Sequence, residues 1–314
     1  MKKINLKKKI FLKDMILITG THSSGKSMIS PVVASLNKVE PLRKIYYIDQ
    51  INNLLYLKKI SLETATFLIN HILDLSYYEQ LIGRNMNFRA EDETSVYNAK
   101  DTKKLIKRLK AKRGENVIKK AQKNKKTFLL DTHDGLWFSN VWKNLNIKNL
   151  KIIHVHRNPI HVVNSWINSD FGNTDNSLLN QLPSFYFKGK LIPFYALKFK
   201  DDFKNMSKTD RIIKMVVICI ENEMFNLKKF RKNFISIKFN EFVSGTDFYL
   251  RKLCNFLQLK KTRSTIQILR RERLPRSIQK EDYYKKKKRI QNLASKKMFE
   301  KLLNLEKKYK KFYG

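Results

Sequence analysis

Lys26 sits within Gly20-Thr21-His22-Ser23-Ser24-Gly25-Lys26-Ser27, a Gly-x-x-x-x-Gly-Lys-Ser run. Between a strand and a helix, such a loop aims backbone N–H groups and a helix N-terminus at one point, where the lysine adds a full charge. The chemistry this suits is binding the phosphates of an anionic ligand, with Thr21, Ser23, Ser24, Gly25, Lys26, Ser27 and Met28 as the candidate contacts. A second group is His156-Arg157-Asn158-Pro159, with Ser165 eight positions after the arginine. Arg157 offers a permanently charged fork for a phosphate, and Ser165, about two turns into a helix begun at Pro159, adds a hydroxyl on the same side. The third is Asp131-Thr132-His133-Asp134-Gly135. His133, with an ordinary pKa of about 6.5, suits general-base work; Asp131 or Asp134 could instead be the base, or orient the histidine.

These groups need a scaffold that brings them together. Short apolar, β-branched runs at 15–19, 44–48, 127–131, 150–156 and 234–239 are separated by helical patterns. That alternation predicts an α/β fold of three layers, a mainly parallel sheet flanked by helices on both faces. In such a sheet ligands bind beyond the carboxyl ends of the strands, where the loop at 20–27, the Asp131 to His133 turn and Arg157 would all emerge. Pro31, beyond the first turn of the helix after the loop, should kink or shorten it. Residues 61–122 read as helical and polar with a loop around 83–94. Residues 166–200 mix Trp166, Phe171, Phe185, Tyr186, Phe187, Phe194, Tyr195 and Phe199 with Gly172, Pro183, Gly189 and Pro193, as a lid over the ligand or a loop tucked onto the core would. Helices are expected at 209–227 and 247–257, and a docked C-terminal helix from Glu281 onward.

The chain has 314 residues, 42% of them hydrophobic, so it is too apolar for disorder and long enough for one large core. We divide it into a basic tail (1–14), a catalytic unit (15–260) and a basic segment with a docked helix (261–314) that belongs to the same domain. The formal net charge of +39 invites a nucleic-acid or membrane-surface partner. Yet the lysines are scattered through nearly every segment, which speaks against nucleic acid and leaves weak peripheral membrane association open for the tail. Cys219 and Cys254 lie among apolar residues without metal-ligand spacing, and so predict no metal site and a reducing, cytoplasmic setting. Lys13 and Asp14 interrupt the apolar stretch that a signal peptide would need, and no run reaches the 18 or so apolar residues of a membrane span.

Together, an arginine at a strand end, Asn-Pro next and a serine eight residues on resemble the 3′-phosphate-binding motif of sulfotransferases that use 3′-phosphoadenosine-5′-phosphosulfate (PAPS), a P-loop-type fold of bacterial kind. In that family the loop after the first strand holds the 5′-phosphosulfate, which corresponds here to 20–27. The segment 234–242 and the helix ending Phe256-Leu257-Gln258-Leu259 are similar to the family's late strand and a helix ending near Phe-Leu-Gly-Leu. Thr132-His133 is similar to the Lys-Thr-His strand end of one branch, where the histidine is the base. The resemblance implies sulfuryl transfer from PAPS to a hydroxyl, on a small molecule or glycan, without a required metal. It makes Lys26, His133 and Asp131 the candidate catalytic residues and adenosine 3′,5′-bisphosphate the product. The family often closes its nucleotide site with a basic C-terminal segment, which singles out Arg270, Arg271, Arg273 and Arg276, Arg271 being our choice as a nucleotide contact.

Two departures stand out. Ser23 occupies the place where many members have Lys or Arg, and Lys26 the place where they have Thr or Ser. Lys26-Ser27 with the carboxylate of Asp131 also fits a kinase using ATP and Mg²⁺, and a non-enzymatic polyanion-binding protein is a third reading.

Overall fold

The structure, a computed structural model, describes residues 10–171, 184–230 and 233–314. The basic N-terminal stretch at 1–9 and the breakers Gly172 and Pro183 lie outside them. Within them the strands are β1 (Asp14–Thr19), β2 (Val39–Lys44), β3 (Thr127–Asp131), β4 (Asn149–His156), β5 (Ser184–Phe187), β6 (Lys190–Pro193) and β7 (Phe234–Lys238). β5 and β6 form a separate antiparallel hairpin, and the other five make one all-parallel sheet in the order β2-β3-β1-β4-β7.

Alternation along each strand divides the side chains between two cores. Met15, Leu17, Phe128, Leu130 and Ile152 face one layer of helices, while Ile16, Ile18, Leu129, Ile153, Val155 and Ile237 face the other. On the second face lie α1 (Lys26–Ala34), α9 (Phe239–Ser244), α10 (Thr246–Leu257) and α11 (Arg263–Arg271). Opposite them are α2 (Tyr46–Tyr56), α3 (Leu62–Leu81), α5 (Glu115–Lys123), α6 (Ser139–Asn144), α7 (Pro159–Asn168), α8 (Lys208–Leu227), α12 (Lys280–Leu293) and α13 (Lys296–Tyr313), with α4 (Thr102–Lys107) lying beside β2. Each fully buried large side chain contributes roughly 1.5–3 kcal/mol, so two filled cores clamp the sheet and fix the loops at its carboxyl edge.

Three expectations change. The second strand is Val39–Lys44, not 44–48, and α2 begins at Tyr46. Pro41 argues against a strand, but β2 is an edge strand whose register with β3 shifts between Val39 and Leu42, so the missing N–H costs no ladder bond. The C-terminal helix is two helices, broken after Leu293, with the Ser295 hydroxyl capping α13 by accepting from Met298 N. Gln258 ends α10 in the left-handed conformation, φ 58°, the place of glycine in Phe-Leu-Gly-Leu. α1 ends three residues after Pro31, as short as the proline predicts. The aromatic segment divides: Trp166, Phe171, Phe194, Tyr195 and Phe199 are buried in the core, whereas Tyr186 is exposed.

Candidate functional site

β1 ends in the loop and α1 opens at Lys26, whose N–H and that of Ser27 precede any intrahelical carbonyl. Gly20 (φ 154°) and Gly25 (φ 103°) have no room for a side chain: a Cβ would fall 2.1 Å from Val155 O at Gly20 and 2.0 Å from the Phe239 ring at Gly25. The loop is thereby pinned against the ends of β4 and β7. Lys26 is buried and folds back across the loop, its Nζ donating to Gly20 O (2.9 Å) and Thr21 O (3.4 Å) and lying 2.9 Å from His133 Nδ1. With Lys26 as the ammonium donor, Nδ1 accepts and His133 carries its proton on Nε2.

Beside them lies a cavity of about 440 Å³ whose walls include Ser23, Gly25, Lys26, Ser27, Asp131 and His133. Lys44, Tyr46 and Asp49 from the end of β2 and the start of α2, and Glu93, complete its polar side. Phe138, Phe171, Phe194 and Tyr195 form an apolar wall. The His22 ring stacks on His133 at 4.0 Å, and Trp166 Nε1 holds His22 O at 3.0 Å, so α7 supports the loop from behind. Burial, then the Lys26 charge, drives His133 well below its ordinary range and His22 down to about 3.

Two carboxyl groups move the opposite way. Asp49 is pushed up to about 7 by burial, with the Asp131 charge adding and the Thr132 hydroxyl, donating at 2.6 Å, opposing. Asp134 is also pushed up to about 7, by burial and then Glu223; Tyr195 donates its hydroxyl to one oxygen, and the other oxygen is buried without a partner among the described residues. Asp131 accepts from the Ser30 hydroxyl at 2.8 Å and so ties the end of β3 to α1. Asp49 escaped the sequence reading because residue 48 was placed at the end of a strand; only the boundary of β2 could have exposed it.

Arg157 lies on the other flank of the loop. Its guanidinium stands 4.7 Å over the Phe239 ring, the same ring that blocks a side chain at Gly25. With Thr21, Ser24, His156, Glu223, Tyr309 and Tyr313 it lines a small space of about 10 Å³. Arg157 Nε, Thr21 Oγ1 and Ser24 Oγ are buried there with no partner among the described residues. Asn158 caps α7, its side-chain oxygen accepting from Ile160 N at 2.9 Å, and Pro159 takes the first helical position.

The sequence-predicted residues therefore fall into sets. Ser23, Gly25, Lys26, Ser27, Asp131 and His133 share the large cavity; Thr21, Ser24 and Arg157 share the small one. Ser165, half-buried on α7, and Met28, packed against the core on the α1 side, line neither. Arg271 is held on α11 by Glu272 (3.0 Å) and Asn98 (3.0 Å) and also lines neither; of its cluster it is Arg276 whose charge acts on Arg157. Among the described residues no group of three or more metal-ligating side chains forms, and no helix is long and apolar enough to cross a membrane.

No family model and no curated protein matches the chain. Among solved structures it is similar to the sulfotransferase domain from the curacin biosynthetic pathway, at 13% identity over 82% of this chain and 78% of that one, TM-score 0.46. Similar too are the sulfotransferase domain of the Synechococcus olefin synthase (10%, 85% and 81%, TM-score 0.45) and a sulfotransferase from Alicyclobacillus acidocaldarius (12%, 79% and 82%, TM-score 0.39).

Proposed function

We propose that the chain is a sulfotransferase that moves a sulfuryl group from PAPS to a hydroxyl of a small molecule or glycan. The observation that carries this reading is a cation on either flank of one loop, each lining its own space. Arg157 is a half-buried cation with an unpartnered Nε beside the unpartnered hydroxyls of Thr21 and Ser24, and Lys26 is across the loop. Orphaned buried donors are costly, so the flank is built for an anion, and a donor phosphorylated at both ends of one ribose could engage both sides. Burial holds Arg157 below its ordinary range, with the Asp282 charge opposing and the Arg276 charge adding. Tyr309 on α13 hydrogen-bonds His156 Nδ1 (2.7 Å) next to Arg157, which supports reading 261–314 as part of the same domain as 15–260. The free thiols of Cys219 and Cys254 suit a cytoplasmic setting.

When bound, PAPS would supply the sulfuryl group and a phosphate leaving group. Loop N–H groups, Lys26 and Ser27 would hold its 5′ end, and Arg157, with Thr21, Ser24 and an arginine of the 270–276 cluster, its 3′ end. We assign removal of the acceptor proton to Asp49, which lines the cavity and whose carboxyl is pushed up to about 7. His133, donating through Nε2, would orient the acceptor oxygen, and Asp131 would keep the end of β3 in place through Ser30. Phe138, Phe171, Phe194 and Tyr195 would exclude water from the reacting groups.

One observation favours a kinase instead: Ser27 and Asp131 line the same cavity, as holding Mg²⁺ would need. Thermal unfolding with adenosine 3′,5′-bisphosphate, ATP·Mg²⁺ and an oligonucleotide separates the readings. Ligand at about 100 Kd should add about 2.7 kcal/mol. The sulfotransferase reading expects a shift with the bisphosphate that Arg157→Ala abolishes. A response to ATP·Mg²⁺ alone would sink it, and salt-sensitive oligonucleotide binding untouched by Arg157→Ala would favour the polyanion-binding protein.

A further inference from the structure

A second cavity of about 290 Å³ lies behind α1, between β2, α4 and α11, away from Arg157 and His133. Its floor is apolar, with Pro31, Val39, Leu42, Leu105 and Ile268. Five cations line it, Lys100, Lys104, Arg108, Lys126 and Arg263, against the carboxylates of Glu40, Glu93 and Asp101. Those carboxylates are already committed. Glu40 takes Arg108 on both oxygens and Lys126 at 3.3 Å, Glu93 takes Lys44 at 3.0 Å, and Asp101 caps α4 by accepting from Lys104 N at 2.9 Å.

What remains is positive. Lys104 and Arg263 form no ion pair among the described residues, and Lys100 is held by the carbonyls of Leu36 and Val39 rather than by an anion. Burial, and then the Lys126 charge, holds the Lys100 ammonium down to about 8. α11 also begins here: its first two residues, Arg263 and Ser264, line the cavity, and their N–H groups precede any intrahelical acceptor. A concave apolar floor, three cations without a carboxylate partner and a helix N-terminus are complementary to an organic group carrying a compact dianion.

We propose that this cavity is a second binding site, taking a small phosphate monoester. Such a group bears −1.5 to −2 charge near pH 7, enough to offset more than half of the charge that Lys100, Lys104 and Arg263 carry together. The site is independent of the reaction run beside Lys26, from which Glu93 divides it as a wall common to both cavities.

Calorimetric titration of the full chain with phenyl phosphate tests this, in wild type, in the Lys104→Ala/Arg263→Ala double variant and in Lys26→Ala and Arg157→Ala. Lys104 and Arg263 are exposed, so their removal should leave the fold intact, which circular dichroism checks. Saturable binding is expected in wild type, weakened about tenfold or more in the double variant and changed less than about twofold in the other two. No saturable binding to wild type in the millimolar range, no weakening in the double variant, or an equal or larger loss in Lys26→Ala or Arg157→Ala would overturn the proposal.

Discussion

The two flanks of the glycine loop are built on opposite principles. On the Lys26 side most of the charged groups have internal partners: the ammonium has two carbonyls and a histidine, Asp131 has Ser30, Asp49 has Thr132, and Asp134 has Tyr195 on one of its two oxygens. That side encloses about 440 Å³. On the Arg157 side the space is about 10 Å³, and Arg157 Nε, Thr21 Oγ1 and Ser24 Oγ lack partners among the described residues. A preorganised, partnered flank suits reacting groups, because their orientation is fixed before the transition state forms. An orphaned flank suits affinity, because a ligand there repairs deficits already present. Changes on the first should therefore reduce turnover, and changes on the second should weaken nucleotide binding.

The largest effect is expected at Asp49. Asp49→Asn keeps the shape and the Thr132 contact but removes the base, and should lower kcat by about 10²–10⁴ with little change in nucleotide affinity. The unprotonated carboxylate is the active form, so wild-type kcat should rise with pH through about 7 and the variant should lose that limb. A preserved limb would move the base elsewhere. The same substitution carries a stability signature. Its folded pKa lies above the ordinary carboxyl value, so the folded state holds the proton longer and stability falls as pH rises from about 4 to 7. Asp49→Asn should thus stabilise at pH 8, by about 1–2 kcal/mol after solvent screening, and lose that advantage at pH 4.

Lys26→Met should follow, with kcat down by about 10²–10³ as for the loss of one preorganised donor to developing charge. Because the Lys26 charge is second only to burial in depressing His133, the variant should bring the His133 titration back up toward the ordinary range, as NMR would show. An unmoved histidine would mean that the Lys26 to His133 contact does not persist in solution. Across the loop, Arg157→Ala should weaken adenosine 3′,5′-bisphosphate by about 10- to 150-fold, as the loss of a charged hydrogen-bonded partner of 1.5–3 kcal/mol would. A turnover defect without an affinity defect would erase the distinction between the flanks.

Much of this was legible in the sequence, and the exceptions have physical reasons. Gly20, Gly25 and Lys26 announce the loop, since only glycine fits where Val155 O and Phe239 press against the backbone. The sheet runs 14–19 and 127–131 are legible because both faces are buried and most of their residues are apolar, and 149–156 and 234–238 through their isoleucines and valine. β2 is hard to read because Pro41 sits on an edge strand, where no ladder N–H is required, and because buried Glu40 is tolerated only through its ion pairs with Arg108 and Lys126. Its displacement to 44–48 hid Asp49, at the cavity through α2, and Lys44 at the strand end. The partition of the loop into two flanks was equally hidden: Thr21 and Ser24 face Arg157 while Ser23 and Lys26 face His133, an alternation set by the left-handed Ser23 (φ 66°) rather than by residue type.

The smallest effect is expected where the flanks meet, at Phe239. Its ring abuts Gly25 on one side and carries the Arg157 guanidinium on the other. Phe239→Leu keeps an apolar contact under the loop but removes the π face, worth about 0.5–1 kcal/mol at a partly exposed cation. Bisphosphate affinity should therefore fall about two- to fivefold, with kcat at saturating donor nearly unchanged. A loss as large as that of Arg157→Ala would mean that the ring alone positions the arginine. A fall in kcat instead would show that pressure on Gly25 reaches Lys26 through one turn of α1, and that the two flanks work as a single unit.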